Sequence, residues 1–397
     1  WLTLGFAMGL TRGFCIHISQ AYGKKDYHLV NRGFFVASVL SLIVGAMISI
    51  VGSLAIRDFL ILMHTPGEIL EQSLDYIKVI LLGFVITVLN NLFMSVLQSL
   101  GDSSTPFWAL LVSSVTNIGL DCVFVLTLKW GVQGAAAATV LSQVFSFAIC
   151  AAGLKRLKFV SILDGSKSKN ARLTVRMLKT GLPVGIMSMV TAVGGMILQF
   201  FVNDLGASAV AAYAASTKIR SVIGEFSNAL GMTFMTFVGQ NYGAQKYDRI
   251  KAGVRMGVLL SILIHIPLSA VEIFGGKRIA SLMVTDPPVL ELCRQYLLIV
   301  GIFVFFLGFL MVFRNCIQGM GNTWIPMLSG GLEVFSRLIF GYWLGRHSFM
   351  GIAAAEASAW ISVSIMLGSS FFILFRKVLR TQTPENTTDT KNIRTVS

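Results

Sequence analysis

Long apolar stretches recur along the whole chain, separated by short polar bursts rich in Lys and Arg. The apolar runs cover about 1–21, 34–56, 74–97, 106–128, 131–153, 180–202, 208–238, 256–274, 295–317, 326–345 and 350–375. At about 1.5 Å of rise per residue, runs of this length match a hydrocarbon core of about 30 Å. The pattern predicts eleven membrane-spanning helices, the first incomplete. The runs are continuously apolar and show no period of two, which argues against a β-barrel.

The polar bursts favour one side. The loops at 20–33, 154–179 and 240–255, the turns near 98–105 and 318–325, and the tail beyond 375 together hold 20 Lys and Arg. The other side holds only Arg57, Lys129, Lys277, Arg278 and Arg346. The positive-inside rule then puts the 154–179 segment and the carboxyl terminus in the cytoplasm. A multi-pass protein of the plasma membrane is expected, with the lipid bilayer as its surroundings.

Composition supports this reading. Of 397 residues, 55% are hydrophobic and 13% are charged, and the mean hydropathy is +0.75. A soluble chain carries about 25% charged residues. An ordinary cytosolic enzyme is excluded. The net charge of +14 follows from the loops, so no nucleic-acid partner is expected. Five cysteines (Cys15, Cys122, Cys150, Cys293 and Cys316) form no CxxC and read as buried free thiols rather than a metal or redox centre. The chain opens inside an apolar run with no charged region ahead of it, which is not the pattern of a signal peptide.

The most informative feature is self-similarity at an offset of 220 residues. Gln20-Ala-Tyr22-Gly23 matches Gln240-Asn-Tyr242-Gly243, and Tyr27 and Gly33 match Tyr247 and Gly253. Gln98, Gly101 and Pro106 match Gln318, Gly321 and Pro326, and Gly131, Ala135 and Ser142 match Gly351, Ala355 and Ser362. The partner of the helix near 180–202 would precede residue 1, so two sets of six helices are expected in the complete protein. An even number of helices per repeat gives both halves the same orientation. Their pseudo-twofold axis then runs along the membrane normal, with a cavity between the halves. The expected divisions are an amino-terminal lobe at 1–157, a linker at 158–178, a carboxyl-terminal lobe at 179–378 and a tail at 379–397.

The segment FVGQNYGAQKYDR at 237–249, its copy HISQAYGKKDYH at 17–28, the turns QSLGDSSTP at 98–106 and QGMGNTWIP at 318–326, and AEASAW at 355–360 resemble the multidrug and toxic compound extrusion transporters. The resemblance covers essentially the whole chain. It implies an all-α integral membrane fold of twelve helices in two six-helix lobes, of which about eleven are present here. It also implies export of amphipathic, often cationic, compounds in exchange for Na⁺ or H⁺.

Ionisable residues in the spans are costly and mark candidate sites. Asn117 and Asp121 are spaced i, i+4 and share a helix face. Asp121 and Thr139 lie at equal distances, roughly 14 Å, from the turn near residue 130, close to mid-membrane. Their oxygens suit a small hard cation, and a buried carboxylate could instead carry a proton. The resemblance implies a cation site at this Asn-x-x-x-Asp pair and the Thr of the following helix, with a further acid on the absent first helix. Na⁺ at Asp121 is thus one expectation, with no transition metal and no cofactor besides the coupling ion. The alternative is an Asp paired with a neighbouring helix for packing.

The repeat does not duplicate this trio, since 117, 121 and 139 map to Arg337, Gly341 and Ala359. Candidate cavity or coupling residues in the second lobe are Glu225, Lys218, Arg220, Glu333, Arg337 and Glu356. Glu333 and Arg337 are spaced i, i+4 and are placed to pair. Having Arg at 220, where relatives often carry an acid, separates this chain from the family's second-lobe pattern. Glu272, Lys78, Arg294 and Arg314 lie near predicted helix ends and read as snorkelling residues. Gly5, Gly9 and Gly13 read as a close-packing stripe, and Pro183 and Pro267 as kinks.

The leading function is a cation-coupled antiporter working by alternating access, acting as a monomer on a small amphipathic substrate. The alternative is a flippase for a lipid-linked oligosaccharide with a related fold. The chain has no HExxH, GxSxG, phosphate loop or GxGxxG, so it is not expected to be an enzyme.

Overall fold

A computed structural model describes residues 2–62, 66–161, 164–165 and 170–380. The tail from 381 onward and residues 162–163 and 166–169 of the expected linker lie outside the described residues. All regular structure among the described residues is helical. In chain order the helices are α1 (Leu2–Gly23), α2 (Tyr27–Leu62), α3 (Gly67–Leu82), α4 (Phe84–Ser99), α5 (Ser104–Asp121) and α6 (Gly131–Arg156). They continue as α7 (Ala171–Asp204), α8 (Ala207–Gly243), α9 (Tyr247–Ala270), α10 (Gly276–Ala280), α11 (Pro287–Gly319), α12 (Trp324–Phe340) and α13 (Phe349–Arg380). π-helical turns at Cys122–Thr127, Val271–Gly275 and Gly341–Gly345 extend α5, join α9 to α10 and extend α12.

Every predicted span finds a counterpart, with two changes. The run read as 74–97 is two helices, α3 and α4, bent by 48° at Gly83. A Cβ on Gly83 would lie 2.4 Å from the Val140 side chain, so the bend lets the backbone press directly on α6. The span read as 256–274 runs further, through the π turn to Ala280. Among the described residues seven helices are long and apolar enough to cross a membrane alone, eight if the bent pair is one span. The more polar α1 and α8 are the exceptions that matter. They pack against each other between the two lobes.

Two apolar cores flank that centre. One is built on Leu10, Phe14, Val30, Phe34, Leu92 and Leu97. The other is built on Leu198, Tyr296, Val300, Trp360 and Leu367. These are the interiors of the two lobes. The repeat is visible in the backbone as well. Lys25 and Gln245, 220 residues apart, both take a left-handed conformation (φ 61° and 59°) at the ends of α1 and α8.

The glycine stripe packs as expected. At Gly13 a Cβ would sit 2.6 Å from Gly181 Cα of α7, so only glycine permits this crossing. The Thr180 hydroxyl donates to Gly13 O across it at 3.3 Å. Helix α7 begins at Ala171, inside the stretch read as linker. Of the cysteines, Cys122 is exposed, not buried, because the π turn carries it on an outward face.

Candidate functional site

Polar chemistry gathers in three places: the seam between lobes, the α5–α6 contact of the first lobe, and the interior of the second.

At the seam, α1 and α8 cross near the face that bears the basic loops. Gln20 Nε2 donates to Gly319 O at 2.9 Å, and Gln240 Nε2 donates to Ser99 O at 2.8 Å. Ser99 and Gly319 are themselves 220 residues apart, so the two bonds are repeat-related and each ties one lobe to the other. The turns that receive them contain Gly101 and Gly321, at φ of 95° and 90°, where glycine avoids the left-handed penalty. Gly23 and Gly243 complete the crossing: a Cβ on either would strike the carbonyl of Gln240 or Gln20. The repeated Gln-x-Tyr-Gly and Gln-x-x-Gly elements thus build one reciprocal latch between lobes.

Towards mid-membrane the seam widens into a cavity of about 720 Å³ bounded by α1, α4, α5 and α8. Its polar lining includes Arg12, Gln98, Glu225 and Asn228, and its apolar lining Met94, Phe107 and Met232. Arg12 Nη1 donates to Asn228 Oδ1 at 3.5 Å. Glu225 stands on this wall and within electrostatic reach of Arg12. Glu225, Ala229 and Thr233 are the repeat counterparts of Gly5, Gly9 and Gly13, so this wall is the counterpart of the bed that holds α7.

In the first lobe, Ser113 Oγ donates to Ser142 O at 2.9 Å and sets the antiparallel register of α5 against α6. One turn on, Asn117 comes level with Thr139; a further turn brings Asp121 to the end of α5, where the π turn starts. Asn117 Nδ2 and Asp121 Oδ1 are buried with no hydrogen-bond partner, as is Gln143 Oε1 on α6. The Thr139 hydroxyl donates to Ala135 O at 3.0 Å, which leaves its oxygen free to accept. Buried polar atoms are nearly always paired, so a cluster of orphans is a site waiting for a partner. The oxygens at hand are those of the Asp121 carboxylate and the Thr139 hydroxyl, which suit a small hard cation, whereas the orphan Asn117 Nδ2 is a hydrogen-bond donor and calls for an acceptor. Gln143, one turn from Thr139 on the same face, lies level with Ser113, more than two turns from Asp121, and so stands apart from the trio.

The second lobe is different. Glu333 on α12 receives Arg314 of α11 at 3.0 Å and Arg337 at 2.9 Å. Arg337 also approaches Glu356 of α13 at 3.7 Å, and Glu356 pairs with Arg220 of α8 at 3.0 Å. The Tyr296 hydroxyl of α11 donates to Glu356 in a very short contact. Arg220 lies over Trp360, 5.8 Å from the ring centroid. Four of the six second-lobe candidates are therefore joined in one network spanning four helices. Glu225 belongs to the cavity instead. Lys218 belongs to neither: two residues from Arg220 is about 200° around the helix, which turns it outward and exposed.

Two residues read as snorkelling are not. Glu272 is 1% exposed and Arg314 4%. The longer α9–α10 rod carries Glu272 inside the lobe, and Glu333 draws Arg314 inward. Lys78 and Arg294 do lie on the surface, as helix-end residues should. His265, absent from the sequence candidates, is fully buried and satisfied: Nδ1 faces Ser261 O at 2.7 Å and Nε2 the Ser227 hydroxyl at 2.8 Å.

These features define a two-lobed, multi-pass membrane protein with internal polar sites. The MatE family model matches residues 1–123 and 183–343, and the chain belongs to that family. The probable multidrug resistance protein YoeA of Bacillus subtilis is 27% identical over 375 residues, covering 89% of this chain and 81% of that protein. The FAD transporter of Shewanella oneidensis is 24% identical over 328 residues, covering 79% of this chain and 70% of that protein. Among solved structures, MATE in its bent conformation superposes with a TM-score of 0.88 at 22% identity, covering 96% of this chain and 86% of that one. That likeness concerns the fold.

Proposed function

We propose that this protein is a cation-coupled antiporter that exports amphipathic, cationic small molecules across the plasma membrane by alternating access, with its basic face in the cytoplasm. Asn117, Asp121 and Thr139 hold the coupling ion, Na⁺ or H⁺. Substrate enters between the lobes at the α1–α8 seam, and one chain suffices for the cycle. The observation that carries this reading is the buried, unpartnered Asp121 Oδ1 beside a π turn, a geometry common at functional sites. Relatives named for multidrug resistance support the substrate class. A lipid-linked oligosaccharide flippase is disfavoured because the second-lobe network pairs its arginines with glutamates instead of presenting a basic cavity.

A ligand drives such a cycle only through unequal affinity for the two states. Here the ion favours one arrangement of α5 and α6, and substrate the other. The test is efflux of a fluorescent lipophilic cation from pump-deficient cells expressing the full-length protein. Asp121→Asn should abolish efflux at equal membrane abundance, and a Na⁺ gradient imposed with or without a pH gradient identifies the ion. Undiminished efflux in Asp121→Asn would sink the first-lobe site. Because one relative is an FAD transporter, the substrate panel should include a flavin dinucleotide.

A further inference from the structure

Helices α8 and α9 run antiparallel, and the Ser227–His265 contact fixes their register. Moving seven residues along each helix, about two turns, sets Arg220 opposite Glu272. Glu272 is indeed within electrostatic reach of Arg220 and Glu356. Yet Arg220 gives its Nη2 to Glu356, while both carboxyl oxygens of Glu272 and the Arg220 Nε have no partner. The charged groups facing Glu272 are Arg220 on α8 and Glu356 on α13; Tyr213 on α8 and Tyr296 on α11 face Arg220, and His265 lies two turns back on the helix of Glu272. Backbone presses in as well: a Cβ on Gly301 would sit 3.1 Å from Glu272 Cβ.

A bare carboxylate with no hydrogen bond in such a pocket is very costly. The neutral acid is the form this geometry fits. A metal cation is a poor occupant: it needs several oxygen ligands, the Arg220 guanidinium repels it, and the nearby Ser269 hydroxyl already donates to Gly301 O at 2.7 Å. A proton needs only the carboxyl.

We propose that Glu272 is a proton-carrying site of the second lobe, and that Arg220 passes between Glu356 and Glu272 as that proton leaves and returns. In the present arrangement Glu272 is a carboxylic acid and Arg220 pairs with Glu356. On release, the Glu272 proton passes to water along the Arg220 side chain, which is 23% exposed. Arg220 then pairs with the new Glu272 carboxylate. Glu356 keeps Arg337 and the Tyr296 hydroxyl, so no carboxylate is stranded. The exchange would pull α8 towards α9, and α8 is the helix that carries the latch residue Gln240.

This inference rests on the ion-coupled transport reading for its purpose, but its first test does not need transport. Infrared difference spectra of the full-length protein in nanodiscs at neutral pH should show a protonated-carboxyl band in wild type that is missing from the isosteric Glu272→Gln. Asp121→Asn should retain it. Identical spectra for wild type and Glu272→Gln would overturn the proposal. Glu356→Gln frees Arg220 for Glu272 and should also remove the band; its persistence there would overturn the exchange. In proteoliposomes, a pH gradient should drive tetraphenylphosphonium accumulation by wild type, with at least a tenfold loss in Glu272→Gln. Undiminished pH-driven accumulation in that variant counts against the site. No movement of the probe in wild type would remove the substrate reading, while the infrared band still decides Glu272.

Discussion

The two lobes share one backbone plan and have opposite interiors. In the first, no fully buried side chain among the described residues is charged, and most buried hydroxyls are paired, while Asn90, Asn117, Asp121, Gln143 and Ser146 carry orphan atoms. In the second, three arginines and two glutamates tie α8, α11, α12 and α13 together. The repeat makes the contrast sharp, because Asn117 and Asp121 correspond to Arg337 and Gly341. Both α5 and α12 end in π turns at matching places, one with the acid at its start and one with glycine. Duplication therefore preserved the helix geometry while chemistry diverged. The first lobe leaves a few polar atoms, Asp121 Oδ1 among them, available to a ligand; the second uses most of its charges on one another.

The largest expected effect follows from that difference. Glu333→Ala leaves Arg314 without an ion partner and Arg337 with only the longer contact to Glu356, both buried in the lobe interior. Removing one partner of a buried pair typically costs about 3–5 kcal/mol, so the second lobe should lose most of its stability. Thermal unfolding of the purified protein in detergent should show a large drop in Tm. A Tm close to wild type would mean that water or lipid headgroups reach these arginines, and the comparison would fail.

Asp121→Asn is the opposite case. No partner depends on the Asp121 carboxylate, and neutralising it removes a desolvation cost. The variant should keep or slightly raise Tm while losing ion-coupled efflux. A Tm loss as large as that of Glu333→Ala would show that Asp121 is a structural residue.

How much of this could be read beforehand follows the same division. Hydropathy alone located the spans, because lipid exposure demands long apolar runs. The Asn117–Asp121 pair was legible because both residues sit on one helix one turn apart. The latch was legible only as a repeat. Gln20 bonds a backbone carbonyl 299 residues away, and a carbonyl leaves no mark in sequence. Glu272 was misread for a local reason: the apolar run fades at residue 274, yet the helix continues through a π turn to Ala280. Arg12 lies mid-helix without a regular partner spacing, so only the approach of α8 reveals its place at the cavity.

The latch offers a smaller effect that tests the symmetry itself. Gln20→Ala and Gln240→Ala each remove one inter-lobe hydrogen bond, worth about 1 kcal/mol net. Each should shift the balance between closed and open seams about fivefold, and the two shifts should be equal. Distances between spin labels on the basic-face ends of α1 and α8 would report the populations. Unequal shifts would mean that one lobe leads the opening.

The smallest effect separates burial from charge. Glu291 of α11 accepts Arg294 in a doubled contact and meets Lys277 at 3.5 Å, an arrangement with as many partners as Glu333. But Glu291 stands at the exposed end of its helix, with 40% of its side chain accessible. Water and salt screen such pairs, and exposed examples contribute little to stability. Glu291→Gln should therefore leave Tm unchanged within error, in low salt and in high. If it instead approaches the loss seen for Glu333→Ala, the number of ion contacts governs this lobe, not their depth. Buried charge would then not be what holds the second lobe together.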